Sequence, residues 1–407
     1  MNKRRSLLFK SVLLLIFLLL IQGANAQKVK ISKSNLLPLI NTSLQESSEQ
    51  YQFLMKQAPE TTLPRSFEKG KLKATPSDDW VSGFYPGTLF YLYGYSKKAE
   101  LLNEALQRLK LLEKEQFNTS THDLGFMMYC SFGNANKIQP KPTYKDIMLN
   151  SARSLSSRFN PQVGCIRSWN PGQANSDSSD YLVIIDNMMN LELLFWATKV
   201  SGDSSFYKIA LDHANTTMKN HFRPDYSSYH VVNYNPTTGS VQKRRTQQGL
   251  ADESAWARGQ AWGLYGFTLM YRETKDPKYL KQAENIANFI LNHPTMPADK
   301  IPYWDFDAPA GPTTPRDASA GAIISSALIE LSGYTKGEPS KKYLSTAEKM
   351  LHSLSSPAFR ASYGENGGFL LKHSVGSFPH RGEVDVPLNY ADYYYVEAML
   401  RYRNLNK

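Results

Sequence analysis

The sequence predicts an all-α fold: a closed (α/α)6 barrel of six inner and six outer helices, with a small β-ribbon near one mouth. Three observations carry this. Four helix-turn-helix stretches repeat, and the second helix of each has a large apolar residue followed four positions later by alanine: Leu101/Ala105, Phe206/Ala210, Tyr279/Ala283 and Tyr343/Ala347. Residues four apart share a helical face, so a bulky and a small side chain there form a packing seam. Upstream of each turn lies a helix that is apolar nearly all round, PGTLFYLYGY, NMMNLELLFWATK, GQAWGLYGFTLMYR and AGAIISSALIEL, as expected of helices buried on both sides. Finally, no Ser/Gly/Pro linker or charge block divides the chain, although its 407 residues would suffice for two or three domains of about 100–200 residues. An open solenoid of hairpins is the competing architecture. The apolar first helices and the irregular repeat spacing favour the closed ring, and one domain over residues 27–407.

In chain order, residues 1–26 come first: a basic start, an apolar stretch, then Ala24-Asn25-Ala26. This is the pattern of a secretory signal peptide cut before Gln27. The stretch is short for a membrane span, and no cysteine follows it to take a lipid. The expectation is a periplasmic or secreted protein without a membrane anchor. The formal charge of +11 drops by four when Lys3, Arg4, Arg5 and Lys10 leave with the leader. A basic balance suits an anionic partner. The run Lys243-Arg244-Arg245 reads as a solvated loop, so nucleic acid is not expected. With only Cys130 and Cys165 there is neither a disulfide framework nor a cysteine-based zinc site, though one bridge between them is open in an oxidising compartment.

Further helices are read at 36–56, 122–134, 141–158 and 386–404, giving about six hairpins in all. The turns YGYSKKAE, KVSGDSSF, RETKDPKY and GYTKGEPSKKY are polar and carry N-cap residues, such as Asp276 ahead of Pro277 at the first helical position. Strand signals are few. The best is a ribbon around SYHVVNYNPTTGSVQ, turning at Pro236 to Gly239.

Polar and aromatic segments sit just before the inner helices: Asp79 to Phe84, His122 to Phe126, Ile185 to Met188, Trp256 to Trp262 and Arg316 to Gly321. Alternation puts all these starts at one end of the ring. Tryptophans, carboxylates and an arginine together describe a carbohydrate site, because sugars offer apolar faces and hydroxyls. Asp186 stands out: it lies within YLVIIDNMMNLELLFW, where a buried carboxylate must be paired, protonated or chemically employed. Taken singly, each residue has a bland reading. Asp123, Asp186 and Asp317 fit helix N-caps, Trp80, Trp256 and Trp262 fit core aromatics, and Arg258 fits an ion-pair partner of Asp252 or Glu253. His230 fits a ribbon position facing surface or core. Their coincidence at one mouth favours a site.

The segments HDLGF, VIIDNMMNLELLFWA and WARGQAWGLYGF, with the closing DVPLNYADYYYVEAMLR, resemble the unsaturated glucuronyl hydrolases of glycoside hydrolase family 88, over residues 79 to 401. The resemblance implies the same barrel and an unusual reaction. Water is added across the C4=C5 bond of the unsaturated uronic acid that polysaccharide lyases leave at a non-reducing end, and the resulting hemiketal opens to release the next sugar. The resemblance also implies Asp186 as general acid and base and Asp123 as second essential acid. His230, Gln248 and Arg258 match other site positions; Trp80, Trp169 and Trp262 become candidates for stacking on sugar, and His122 for lining the pocket. Lys372, in GGFLLKHSVGSFPHRGEVDV, becomes a candidate for meeting a sulfate, without the serine-rich surroundings of relatives that favour sulfated disaccharides. The implied partner is an anionic unsaturated oligosaccharide, most simply a glycosaminoglycan disaccharide. Hydration of a vinyl ether needs only proton transfer, so no cofactor or metal is expected. Competing functions are a related unsaturated rhamnogalacturonyl hydrolase acting on pectin fragments, and a non-catalytic helical glycan-binding protein. The latter gives Asp186 no reason to sit among apolar residues.

Overall fold

The computed structural model describes residues 33–174, 177 and 180–406; the expected signal peptide lies outside them. Helices α1 (Lys33–Met55), α2 (Phe84–Ser96), α3 (Ala99–Leu112), α4 (Pro142–Ser156), α5 (Leu191–Ser201), α6 (Ser204–Asn220), α7 (Ala257–Thr274), α8 (Pro277–Asn292), α9 (Ala318–Ser332), α10 (Gly337–Leu354) and α11 (Asn389–Leu405) are joined by a π-helix, Gly125–Gly133. The inner ring runs α2, π-helix, α5, α7, α9, α11. Neighbours pack side by side, and α11 returns to α2 to close it. Helix α1 packs against both and completes the sixth hairpin.

The seams behave as the spacing predicts: Leu101, Ala105, Phe206, Ala210, Tyr279, Ala283, Tyr343 and Ala347 are all buried. Helices α7 and α9 are buried over almost their whole length, as inner walls require. Asp276 caps α8 by accepting the Lys278 N–H at 3.0 Å, with Pro277 at the first helical position.

Three readings need correction, and one question the sequence left open is answered. The helix expected at 122–134 is wound as a π-helix from Gly125, and the Phe126 N–H at its start bonds Asn190 in the segment that carries Asp186. Nine strands form four small sheets among the described residues. None exceeds six residues, and Tyr181–Ile184 and Val231–Tyr234 are buried at every position, which leaves no alternation by which to read them from sequence. The expected ribbon, β6 (Val231–Tyr234) with β7 (Val241–Arg245), gains a third strand, β5 (Tyr181–Ile184), on its other edge. Lys243 to Arg245 therefore lie in β7 rather than in a loop, and Arg245 is buried, donating to the Ala174 carbonyl at 2.8 Å. Lastly, Cys130 and Cys165 are both free and buried. They sit on different walls, Cys130 in the π-helix and Cys165 beneath α6, where its thiol faces the His213 carbonyl.

Candidate active site

The start of each inner helix faces the same mouth, and the β5–β6 pairing decides what meets Asp186. Ile184 pairs with Val231, and the Ile185 N–H donates to the His230 carbonyl at 3.1 Å. The chain then tightens into a 3₁₀ turn, Ile185–Asn190, with every residue buried, before α5 begins. This register brings the His230 ring to the Asp186 carboxyl, with Nε2 3.7 Å from Oδ2.

His230 has a defined tautomer. Its Nδ1 accepts the backbone N–H groups of Gln247 and Gln248, each at 3.2 Å, so the ring proton resides on Nε2, facing Asp186. Burial, then the charges of Arg258, Arg245 and His221, push its pKa well below the usual value, and the ring is neutral.

Asp186 is only 8% exposed and its Oδ2 has no hydrogen-bond partner within the protein. Its pKa is raised to about 7, chiefly by burial. Arg258 is the main opposing influence, Asp123 adds an upward push, and the residue's own backbone N–H and the Trp262 indole pull it down. Burial therefore overcomes both the helix start and the nearby cation.

Arg258, on α7, is 1% exposed. It does not pair with Asp252 or Glu253, which flank Arg223 instead. Its guanidinium meets Asp317 Oδ2 at 3.3 Å and donates to the carbonyls of Val375 and Gly376 in β8 (Ser374–Ser377). It also lies 4.5 Å over the Trp256 ring, whose indole packs 4.5 Å from His230. Arg258, Trp256 and His230 thus form a stack that ends on Asp186. Gln248 joins the same wall, donating through Nε2 to the Gly376 carbonyl at 2.9 Å.

Asp123 approaches from the neighbouring wall. Its Oδ2 accepts the Thr121 hydroxyl at 3.0 Å, and its Oδ1 lies 3.4 Å from Nε2 of the buried His122. Burial lowers the pKa of His122, against the pull of Asp123. The two acid-bearing segments are pinned together by Asn190, whose Oδ1 accepts the Phe126 N–H at 3.0 Å.

Of the tryptophans, Trp80 is half-buried against Phe84, Phe126 and Tyr390, and Trp169 is half-buried edge-on to His230 at 5.9 Å. Trp262 is fully buried between Phe126 and Tyr394 and offers no face to a sugar.

Residues 54–405 match the Glycosyl Hydrolase Family 88. This chain belongs to glycoside hydrolase family 88. It is 48% identical to an unsaturated glucuronyl hydrolase of Formosa agariphila, over 81% of each chain. It is 33% identical to an unsaturated chondroitin disaccharide hydrolase of Streptococcus agalactiae, over 81% of this chain and 83% of that one. The crystal structure of an unsaturated glucuronyl hydrolase specific for heparin superposes with a TM-score of 0.87 at 48% identity, covering 91% of this chain and 98% of that one. The glycosaminoglycan-degrading enzyme of Bacillus sp. GL1 superposes with a TM-score of 0.84 at 26% identity, covering 89% and 96%. The family 88 chain is accordingly an enzyme, an unsaturated glucuronyl hydrolase with the (α/α)6 barrel that its helix repeat predicts.

In this family 88 barrel, Asp186, Asp123, His122, His230, Gln248 and Arg258 line adjoining walls of one mouth. Lys372 does not point there through any bond it makes: its ammonium donates to the Pro357 carbonyl at 2.7 Å. Trp256 and Asp317 belong to segments that the sequence places at the mouth, but it assigned them no role. Asn190, one asparagine in an apolar helix start, gave no signal. At the opposite mouth lies a cavity of about 460 Å³. Its charged groups answer one another, with Glu397 accepting from Tyr91, Tyr265 and Ser326, and Arg272 pairing with Glu192 and Glu330.

Proposed function

We propose that Asp186 is the acid and base of vinyl-ether hydration at the non-reducing end of lyase-generated glycosaminoglycan disaccharides. Protonated Asp186 gives its proton to C4, and positive charge develops over C5 and the ring oxygen. The resulting carboxylate takes a proton from the water that adds to C5, which restores the acid and leaves a hemiketal. Ring opening then expels the neighbouring sugar. One observation carries this reading: a buried carboxyl with a pKa of about 7 whose Oδ2 is bonded to no protein group. Such a group holds its proton at neutral pH and can still surrender it. Neutral His230 presents Nε2–H to the carboxylate formed after the first transfer. Asp123 keeps the Asp186 proton in place and is a candidate to hold ring hydroxyls. Trp80 and Trp169, half-buried at the mouth, are the candidates for stacking on sugar.

The supporting relatives act, by their names, on heparin-type and chondroitin-type products, so the substrate class is glycosaminoglycan disaccharide. Disaccharides from heparin, chondroitin and pectin lyase digests, followed by loss of the conjugated uronate's ultraviolet absorbance, test this. Activity confined to the pectin product would overturn the substrate class. Substantial activity in Asp186→Asn would overturn the assignment of the acid; the expected loss is about 10²–10⁴-fold. We also propose that residues 1–26 direct export, so the mature protein recovered outside the cytoplasm should begin at Gln27.

A further inference from the structure

We propose that Asp317 is a positioning residue for the reaction: its buried carboxylate fixes the Arg258 guanidinium and balances the charge that Arg258 brings to the Asp186 pocket. The inference rests on Asp186 being the acid.

The geometry is specific. Asp317 is completely buried at the N-cap of α9, where Oδ1 accepts the Ser319 N–H at 3.0 Å and the Ser319 hydroxyl at 2.6 Å. A cap needs no more than this, and a neutral asparagine or serine would serve as well. Asp317 does more. Its Oδ2 lies 3.3 Å from Arg258 Nη1, and the Val375 N–H approaches Oδ1 at 3.4 Å. The same Nη1 also donates to the Val375 carbonyl and Nη2 donates to the Gly376 carbonyl, while Nε has no protein partner. One carboxylate therefore ties together α9, α7 and strand β8, and holds Arg258 at the end of the Trp256–His230 stack. Burying a full negative charge for a cap alone would be costly; pairing with an equally buried cation gives the charge a reason.

The consequence falls on Asp186. The groups that face it are His230 just ahead of β6, Arg258 and Trp262 from α7, and Asp123 ahead of the π-helix, with His122 against Asp123. Arg158 stands behind His122 and Asp123. Around Asp317 stand Arg258 and Tyr390, with Glu383 and Arg65 beyond the tyrosine. Arg258 is the cation that opposes protonation of Asp186. With Asp317 neutralised, its charge acts unbalanced.

The test is the pH dependence of kcat/KM for Asp317→Asn and Asp317→Ser, both of which can still cap α9. Loss of a proton from Asp186 sets the alkaline limb, and a stronger cation lowers that pKa. The limb should move to lower pH by about half a unit or more, while Arg258→Gln should move it to higher pH. In the double variant Asp317→Asn/Arg258→Gln the Asp317 effect should vanish. A uniform loss of activity at all pH values with an unmoved limb would make Asp317 a structural cap and overturn the proposal. If neither neutral variant folds, Arg258→Gln alone carries the test, and an unmoved limb overturns it. Active Asp186→Asn would instead defeat the underlying assignment. Inactive Asp186→Asn with an unmoved Asp317→Asn limb defeats only this inference.

Discussion

The side-chain carbonyl of Asn190 accepts the backbone N–H of Phe126 at 3.0 Å. Asn190 follows Asp186 by four residues, and Phe126 follows Asp123 by three. The bond therefore locks together the two segments that present the acids. Gly125 permits the approach: a Cβ there would come 2.5 Å from the Asn190 Cα, a backbone atom that cannot swing away.

Two variants follow from this contact. Asn190→Ala leaves the Phe126 N–H buried and unpaired, a cost of about 1–3 kcal/mol. Gly125→Ala forces the walls apart and should cost about 1–3 kcal/mol as overpacking does. Both should lose activity far beyond their loss of stability, because they move Asp123 relative to Asp186. Denaturation midpoints measured beside kcat would show this; unchanged kcat in Gly125→Ala would mean that the spacing of the acids does not matter.

The pH profile should be set on its alkaline side by Asp186. Its acid form is the reactive one, so kcat/KM should be flat below about 7 and fall above it. The acid-side limit should not come from His230, which stays neutral to well below the ordinary histidine range. In Asp123→Asn the repulsion that helps raise the Asp186 pKa is gone. Residual activity should then fall off at lower pH than in the parent. Rate measurements from pH 4 to 9 decide, and a residual alkaline limb moved upward would contradict the electrostatic role given to Asp123.

The barrel was legible because seams and inner walls are written in i, i+4 patterns over many turns, and Leu101/Ala105 or Tyr279/Ala283 need no partner sequence to be read. Asp186 was legible because an acid in an apolar run violates burial rules. What could not be read was pairing across the chain. Arg258 has acids six and five residues upstream, yet its partner is Asp317, 59 residues on. Trp262 has the spacing of a site aromatic, but the walls carrying Phe126 and Tyr394 close over it. Lys372 lies in a segment that borders the site through the Val375 and Gly376 carbonyls, but the positive φ of 62° at His373 turns the chain beside it, and the ammonium is bound to Pro357.

Lys372→Ala should therefore act equally on sulfated and unsulfated unsaturated disaccharides. An ammonium that donates to a carbonyl at 2.7 Å secures the loop at Pro357, and its removal costs about 0.5–1.5 kcal/mol of local stability. Ratios of kcat/KM on the two substrates, compared between parent and variant, read this directly. A loss confined to the sulfated substrate would restore the sulfate role that the sequence first offered.

The last prediction concerns the stability cost of the site. Folding raises the Asp186 pKa from an ordinary 3.8 to about 7, so in that window the folded state binds a proton that the unfolded chain has lost. Stability must then fall as pH rises from about 4 to 7 on this account. Asp392 adds a second such contribution, since burial also lifts its pKa to about 7 while it accepts the Leu370 and Leu371 N–H groups and the Tyr51 hydroxyl. Asp186→Asn removes the first contribution, because an amide does not ionise. The inactive variant should match the parent below pH 4 and exceed it by about 1 to 4 kcal/mol at pH 8. Urea midpoints at the two pH values measure the difference. Asp392→Asn should gain less, because the amide gives up one acceptor among three donors. Equal stability of Asp186→Asn and parent at pH 8 would show that the Asp186 carboxyl is ordinary in acidity, and would remove the basis for its role as the acid.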